Sequence, residues 1–381
     1  MNLLKVVFCT DGIFPHQIGG MQRHSRLLLE SLAAFDVELT VIHPHEGVQV
    51  FNDELRIKEF AIRGIDKKKN YLKESKAYSK RVYDVLKELP ENTIIYNQGF
   101  AVWYGIEEFS ERLITNPHGL EPFQAITRQD RLKSVPFQLV FKKIFKKSRL
   151  TVSLGGHLTT ILMTILPQDK ITILPNAVNE KEGHSFKKRP ESQEKICLFF
   201  LARFAKNKGI HILMKAIEEL NTEGYQDKLV FKLGGTGPLF ARYKEESRPD
   251  NVALLGFVSD EELIQLYKEA DVFVFPTLFE GMPTVVLEAM SNYLPIIVSD
   301  TGATGELVAR ENGFIIEPDN VASLKAAILE YLDLSAEEKD QMSNNSFVKC
   351  MDNFTWEATA RKHLDVFNAI YKELTVVANK N

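Results

Sequence analysis

The fold predicted from the sequence is α/β: two Rossmann-like doubly wound domains, each a parallel sheet with helices on both faces. Three observations predict it. Short apolar, β-branched runs alternate with stretches of helical periodicity, the pattern of parallel βα units. The alternation runs twice, interrupted by the polar, proline-containing stretch 181–195, "KEGHSFKKRPESQEK", which has the composition of a linker. The length, 381 residues, fits two domains at roughly 100–200 residues each. The expected division is 1–180 and 181–354, with the remaining C-terminal stretch a long helix.

In the first half, "LLKVVFC" (3–9) reads as a strand and "TDGIFPHQIGG" (10–20) as a turn-rich loop. "MQRHSRLLLESLAAF" (21–35) has leucines at helical spacing, and "VELTVIHP" (37–44) is the next strand. "NYLKESKAYSKRVYDVLKEL" (70–89) is a polar amphipathic helix and "NTIIYNQ" (92–98) a short strand. "RLITNPHGLEPF" (112–123) is a strand ending in a glycine-containing loop, and "SVPFQLVFKKIFKKS" (134–148) a basic helix. "RLTVSLG" (149–155) and "KITILPNAVN" (170–179) close the half.

The second half repeats the scheme. Its strands are "KICLFFLARF" (195–204), "KLVFKLGG" (228–235), "NVALLGF" (251–257), "DVFVFPTL" (271–278), "PIIVSD" (295–300) and "GFIIEP" (313–318). Its helices are 209–224, 238–246, 259–270 and the one carrying Glu288. Ser259 followed by Glu262 reads as a capping box. "TWEATARKHLDVFNAIYKEL" (355–374) is the long amphipathic helix at the end. Sheets of this kind bind ligands at the carboxyl ends of their strands, and two facing sheets would form a cleft.

The composition, 44% hydrophobic and 26% charged, supports two sizeable cores. A formal net charge of −4 argues against a general nucleic-acid binder. Cys9, Cys197 and Cys350 are scattered, which fits neither a disulfide framework nor a zinc cluster. The N-terminus lacks a signal-peptide pattern, and no apolar run approaches the ~18 residues of a membrane span, so a cytoplasmic location is expected.

Candidate chemistry collects at strand-to-helix turns. In "LARFAKNKGI", Arg203 follows a strand and Lys208-Gly209 opens a helix, where cations and helix N–H groups suit a phosphate. Taken alone, the loop also reads as solvated surface with two cations. In "LGGTGP", Gly234, Gly235 and Gly237 allow close backbone approach, and Gly19 and Gly20 precede the first helix. Neither matches a dinucleotide fingerprint or a P-loop. "FEGMPTVVLEAM" (279–290) puts Glu280 in a turn and Glu288 on a helix, with Pro283 expected at the first helical position. Backbone groups from Gly281 through Met282 and Pro283 to Thr284 would face a ligand. Glu288 would accept from a diol such as ribose, and Glu280 from another part of the same ligand. His43 and His45 lack a third ligand and read as a strand end and loop.

"FEGMPTVVLEAM" resembles the paired-glutamate motif of retaining glycosyltransferases of family 4, which have the two-domain GT-B fold. The resemblance covers nearly the whole chain. "FPHQIGG", "NPHGLE", "ILPNAVN", "LARFAKNKGI", "SNYLPIIVSDTGATGELV" and "TWEATARKHLDVF" resemble the family's other segments in order. Departures are Ala177 and Tyr293 where the family usually has Gly, Met282 for Phe or Leu, and the spacing of "TGATGE". The resemblance implies that the C-terminal helix, 355–381, crosses back to complete the N-terminal, acceptor-side domain, with the donor site on the C-terminal one. It implies that Glu288 holds the ribose, Glu280 the transferred sugar, and Arg203 and Lys208 the diphosphate. Backbone at Gly20 and Gly281–Thr284 would assist, His118 would contact the donor sugar, and backbone near Val258 would read the base.

The expected reaction is hexose transfer from a nucleoside-diphosphate sugar to an acceptor hydroxyl with retention. A UDP-sugar is favoured over GDP-mannose on family prevalence. No cofactor and no metal are expected: no Asp-x-Asp occurs, and cationic side chains can balance the charge developing on the diphosphate. The acceptor is expected to be a saccharide or lipid-linked saccharide of cell-envelope polysaccharide or glycolipid biosynthesis. The helix with Lys142, Lys143, Lys146, Lys147 and Arg149 alternating with Leu139, Val140, Phe141, Ile144 and Phe145 suits an anionic membrane surface, or else a packed helix with a solvated lysine face. Competing readings are a sugar-nucleotide epimerase or phosphorylase on the same fold, and a non-catalytic sugar-binding protein.

Overall fold

The structure is a computed structural model that describes residues 3–66, 68–124, 128–179, 195–246 and 249–378. The expected linker, 181–195, lies outside the described residues except for Lys195. The chain divides into two compact units, 1–176 with 356–381, and 177–355.

The first unit contains β1 (Leu4–Cys9), α1 (Gly20–Leu32), β2 (Val37–His43), β3 (Lys58–Ala61), α2 (Tyr71–Leu86), β4 (Ile94–Gln98), β5 (Leu113–Asn116), α3 (Arg128–Lys147), β6 (Leu150–Ser153), α4 (Gly156–Met163) and β7 (Ile171–Ile173). Its strands form one parallel sheet in the order β3-β2-β1-β4-β5-β6-β7. The order reverses between β1 and β4, so the segments leaving these two strands diverge to opposite faces and open a crevice at their carboxyl ends. The central strands are apolar runs because helices cover both sheet faces: Val6, Val7, Phe8 and Cys9 are at most 1% exposed.

The second unit contains β8 (Ile196–Leu201), α5 (Ile210–Thr222), β9 (Leu229–Gly234), α6 (Phe240–Glu245), β10 (Val252–Gly256), α7 (Asp260–Glu269), β11 (Val272–Phe275), α8 (Thr284–Met290), β12 (Ile296–Ser299), α9 (Thr304–Leu307), β13 (Gly313–Ile316), α10 (Val321–Asp333) and α11 (Ala336–Asn353). Its sheet order is β10-β9-β8-β11-β12-β13, again parallel, with the reversal between β8 and β11. The expected capping box at Ser259 and Glu262 is formed. Phe199 anchors the core edge-on to Tyr267 and Phe273, at centroid separations of 5.5 and 5.8 Å.

The last helix, α12 (Trp356–Ala378), belongs to the first unit. Its buried face, His363, Phe367, Ile370 and Tyr371, follows the i, i+4, i+7, i+8 spacing. Phe367 meets Phe8 and Tyr96 at 6.4 and 5.7 Å, and Tyr371 donates to the Leu3 carbonyl. The C-terminal helix therefore returns to the N-terminal sheet, as the resemblance implied.

The sequence pattern named no element at β3, α4, α9, α10 or α11. β3 is a four-residue edge strand with no apolar run, and α9 is a single turn. α11 buries only Met342, Ser346 and Cys350, too sparse a stripe to stand out by hydropathy. All three cysteines are buried and unbridged.

Candidate functional site

In the second unit, the two strands flanking the sheet reversal, β8 and β11, deliver Arg203 and Lys208 on one loop and Glu280 on the other. Residues 72 positions apart thus meet: the Lys208 ammonium pairs with the Glu280 carboxylate, and Thr277 Oγ1 lies 3.3 Å from the same carboxylate. The two loops are also tied by backbone. Leu278 N–H and Thr277 Oγ1 both donate to the Asn207 carbonyl, at 2.9 and 3.1 Å. Arg203, one loop turn away, is exposed and makes no ion pair among the described residues.

Glycine is needed where these loops touch. Gly209, at φ +72°, would place a Cβ 1.7 Å from the Pro276 carbonyl oxygen. Gly302, at φ +56°, would place one 2.3 Å from the carbonyl oxygens of both Glu280 and Gly281. The Ala303 amide then donates to Gly281 O at 2.8 Å, so the "TGATGE" loop buttresses the Glu280 turn. Val258 sits against the end of β9, its Cγ2 3.1 Å from the Cβ position of Gly234.

Glu288 is half-buried on α8, and Tyr267 Oη donates to its Oε2 at 3.3 Å. Burial, and then the Glu288 charge, hold the Tyr267 phenol well above its ordinary pKa, so it remains a donor. One expectation is corrected here. Pro283 is the N-cap of α8 rather than its first helical residue, because its ψ of 116° is extended. Pro283 also has no N–H. The backbone donors of this turn are therefore Gly281, Met282 and Thr284, and the side chain of Met282 is itself buried at 4% exposure.

In the first unit, Gly19 and Gly20 open α1, and His118 follows β5. Gly20 has open space where a side chain would be. His118 is one of few non-glycine residues with a left-handed backbone, φ +59°. Its N–H donates to Asn116 Oδ1 at 2.8 Å. Its ring stands edge-on to His24, 4.7 Å away, and His24 in turn meets Trp356 and His363 at 5.3 and 6.3 Å. The Nε2 of His118 is enclosed and has no hydrogen-bond partner among the described residues. Burial, with His363 adding repulsion, pushes His118 down to about 3, and burial lowers His363 to about 4, so both are neutral at neutral pH.

In the basic helix, part of the apolar face is packed and part is exposed. Phe141 and Phe145 are buried in an aromatic cluster with Phe100 and Phe123, and Ile144 is buried too, so α3 turns that face inward. Among the described residues, Lys143 pairs with Glu107 and Arg149 with Glu111 and Glu373. The apolar side chains α3 does expose are Leu132, Val135 and Leu139, with Lys142, Lys146 and Lys147 also in solvent. His43 pairs with Glu59 at 2.9 Å, and His45 Nε2 accepts the Ile13 N–H, which makes them a strand end and loop. Among the described residues no helix is long and apolar enough to cross a membrane, and no group of three His, Cys, Asp or Glu could hold a metal.

Sequence reasoning did not name Thr277, Tyr267 and Gly302, which touch the candidate residues of the second unit, or His24 and His363, which surround His118 in the first. Thr277 lies two residues past β11, next to the quoted motif, and could have been found there. The others become neighbours only through strand order and helix packing.

A cation-bearing loop and a carboxylate-bearing loop thus meet at the reversal of the second sheet, and comparison with known proteins shows which family carries this chain's fold. Residues 18–182 match the family described as Glycosyltransferase Family 4, and residues 181–348 match Glycosyl transferases group 1. The chain belongs to glycosyltransferase family 4. It is 28% identical over 218 residues to an uncharacterized glycosyltransferase of Methanocaldococcus jannaschii, covering 53% of this chain and 54% of that protein. It is 27% identical over 220 residues to the alpha-galactosylglucosyldiacylglycerol synthase of Streptococcus pneumoniae, covering 55% and 58%. The chain thus spans about half the length of these curated relatives. The fold is that of sucrose-phosphate synthase from Thermosynechococcus elongatus, at TM-score 0.77 and 18% identity over 98% of this chain and 100% of that one. It is also that of Anabaena HepE solved with UDP-glucose, at TM-score 0.66 and 14% identity over 96% and 100%.

Proposed function

We propose that the protein is a retaining hexosyltransferase that moves a sugar from a nucleoside diphosphate, a UDP-sugar in preference to GDP-mannose, to an acceptor hydroxyl. The single observation carrying this is the meeting of Lys208 and Glu280 beside Arg203 at the sheet reversal of the second unit. As the anomeric C–O bond breaks, the electron pair stays with the diphosphate, and Arg203 and Lys208 neutralise the added charge. Each charge-assisted contact of this kind is worth about 1.5–3 kcal/mol. Glu280 holds Lys208 in place and accepts from a sugar hydroxyl. Glu288, oriented by Tyr267, takes the ribose diol. The amides of Gly281, Met282 and Thr284 supply further donors, the backbone at Gly19 and Gly20 is assigned a supporting contact to the donor, and backbone at Val258 one to the base. His118, neutral and with Nε2 unpartnered, offers a hydrogen bond to the donor sugar. The cations take the place of a metal, so turnover is metal-independent.

The acceptor in this reading is a saccharide or lipid-linked saccharide of the cell envelope. The diacylglycerol-linked product named for the pneumococcal relative supports it. So does the exposed Leu132–Val135–Leu139 stripe beside solvent-exposed Lys142, Lys146 and Lys147, which suits peripheral docking to an anionic cytoplasmic membrane face. The test is a panel of UDP-glucose, UDP-galactose, UDP-GlcNAc and GDP-mannose, each with EDTA. One donor should raise the melting temperature and be slowly hydrolysed by the wild type but not by Glu288→Ala or Arg203→Ala. Stabilisation without any turnover would leave a sugar-binding protein, and turnover that required a divalent metal would refute the role given to the cations.

A further inference from the structure

Four groups link α12 to His118 through buried hydrogen bonds whose direction can be read from both ends. At one end, the Thr359 carbonyl can only accept, so the contact from His363 Nδ1 at 2.8 Å places the proton on Nδ1. His363 is completely buried and neutral, so its Nε2 is a bare acceptor. The Tyr96 hydroxyl, 3.0 Å away, must then donate to it. That leaves the Tyr96 oxygen to accept from Asn116 Nδ2 at 2.9 Å. At the other end, the His118 amide can only donate, so Asn116 Oδ1 accepts it at 2.8 Å, which fixes the Asn116 amide the same way round. Asn116, Tyr96 and His363 are all fully buried, and no bond in the chain can be reversed without breaking another.

The chain ends on the residue whose backbone needs it. A histidine at φ +59° is held in a conformation that side chains disfavour, and such a conformation persists where surrounding contacts over-determine it. Without the Asn116 anchor, the turn after β5 could relax and carry the imidazole away from its place beside His24. Among the described residues, the groups that meet this region from other elements include His24 on α1, Tyr96 on β4, and Trp356 and His363 on α12.

We propose that Tyr96 and His363 are positioning residues for His118, acting through Asn116 to fix the left-handed turn that presents its imidazole. The inference rests on the reading above that His118 contacts the donor sugar. It gives the returning C-terminal helix a part in the site beyond closing the core of the first unit.

The test uses the full chain with Tyr96→Phe, which keeps the ring and deletes one atom of the chain, together with His363→Leu, His363→Gln and His118→Ala. In Tyr96→Phe and His363→Leu the His118 amide should exchange with solvent at least about tenfold faster, since its acceptor loses its anchor, and the His118 imidazole resonances should move. His363→Gln, whose Oε1 can still accept from Tyr96, should restore both. Turnover of the donor identified by thermal shift should fall at least about tenfold in kcat in the first two variants, with donor KM within about twofold. Unchanged exchange and imidazole resonances in Tyr96→Phe would overturn the proposal whatever the donor. Wild-type kcat in Tyr96→Phe alongside an inactive His118→Ala would overturn it while sparing the site reading. Full activity in His118→Ala would remove both.

Discussion

Arg203 and Lys208 sit on the same loop and are given the same partner, a diphosphate, yet the structure predicts that their loss will be felt differently. Arg203 is exposed and makes no ion pair among the described residues, so Arg203→Gln should change folding stability by no more than about 0.5 kcal/mol. Its contact to the leaving diphosphate is a charge-assisted bond of about 1.5–3 kcal/mol. At about 1.4 kcal/mol per decade, that is a loss of about 10- to 150-fold in kcat/KM. Lys208 is engaged in the protein itself. Its partner Glu280 is only 13% exposed, and Lys208→Met would strand that carboxylate with Thr277 as its remaining neighbour. An exposed pair contributes up to about 1 kcal/mol, and breaking a buried one costs about 3–5. With the lysine side chain 26% exposed, the loss should lie near the lower range, about 1–2 kcal/mol, in addition to a similar kinetic penalty. Urea unfolding and kcat/KM for the donor, measured on both variants, separate the two. If Arg203→Gln lowers the urea midpoint as much as Lys208→Met does, or leaves kcat/KM within about twofold of wild type, the argument is wrong.

Gly209→Ala forces a Cβ to within 1.7 Å of a backbone oxygen at φ +72°, so the loop must move; a urea midpoint lowered by at least about 2 kcal/mol equivalents is expected, and an unchanged midpoint would contradict the packing described. Tyr267→Phe removes a hydrogen-bond donor to Glu288 and should weaken UDP binding about five- to tenfold by calorimetry, with a well-folded protein as control. Tyr293 occupies φ +62° while stacking on Phe347 at 4.0 Å; Tyr293→Gly relieves the backbone and loses the stack, so the net change in unfolding free energy should stay within about 1 kcal/mol. His363 is depressed to about 4 in the fold, so between its unfolded value near 6.5 and about 4 the unfolded chain binds the extra proton. Its contribution to stability is present above that window and lost as pH falls through it. His363→Gln should therefore flatten the pH dependence of unfolding between pH 6.5 and 4 by about 1.4 kcal/mol per pH unit, and an unaltered slope would show that His363 is not held neutral.

Most strands were legible because a parallel strand covered on both faces must be apolar along its whole length. "KICLFFL" and "DVFVF" could hardly be anything else once the flanking turns are seen. The long helices with a broad apolar face, such as α12, were legible for the same reason. β3 and α11 were not, since an edge strand and a helix with a narrow buried stripe carry little hydrophobic signal. In the basic helix, periodicity identified a face that is apolar but not what covers it. Phe141 and Phe145 face Phe100 and Phe123, residues that only the folding of the sheet brings near.

By itself, then, the sequence determined the class of fold, the turns that carry Arg203, Lys208, Glu280 and Glu288, and the family. All of these follow from local pattern, where residue type and spacing act within a few positions of each other. What only the tertiary structure decided is which of those turns meet. The reversal of strand order places the β8 and β11 loops side by side, so Lys208 finds Glu280 across 72 residues and Gly302 closes on the glutamate turn from a third segment. The docking of α12 on the first sheet likewise places His363 within reach of Tyr96, and through it of His118, across 267 residues. Hydrogen bonds and ion pairs act over about 3 Å, and a distance of that order between remote residues is set by the packing of whole elements, which no local run of sequence encodes.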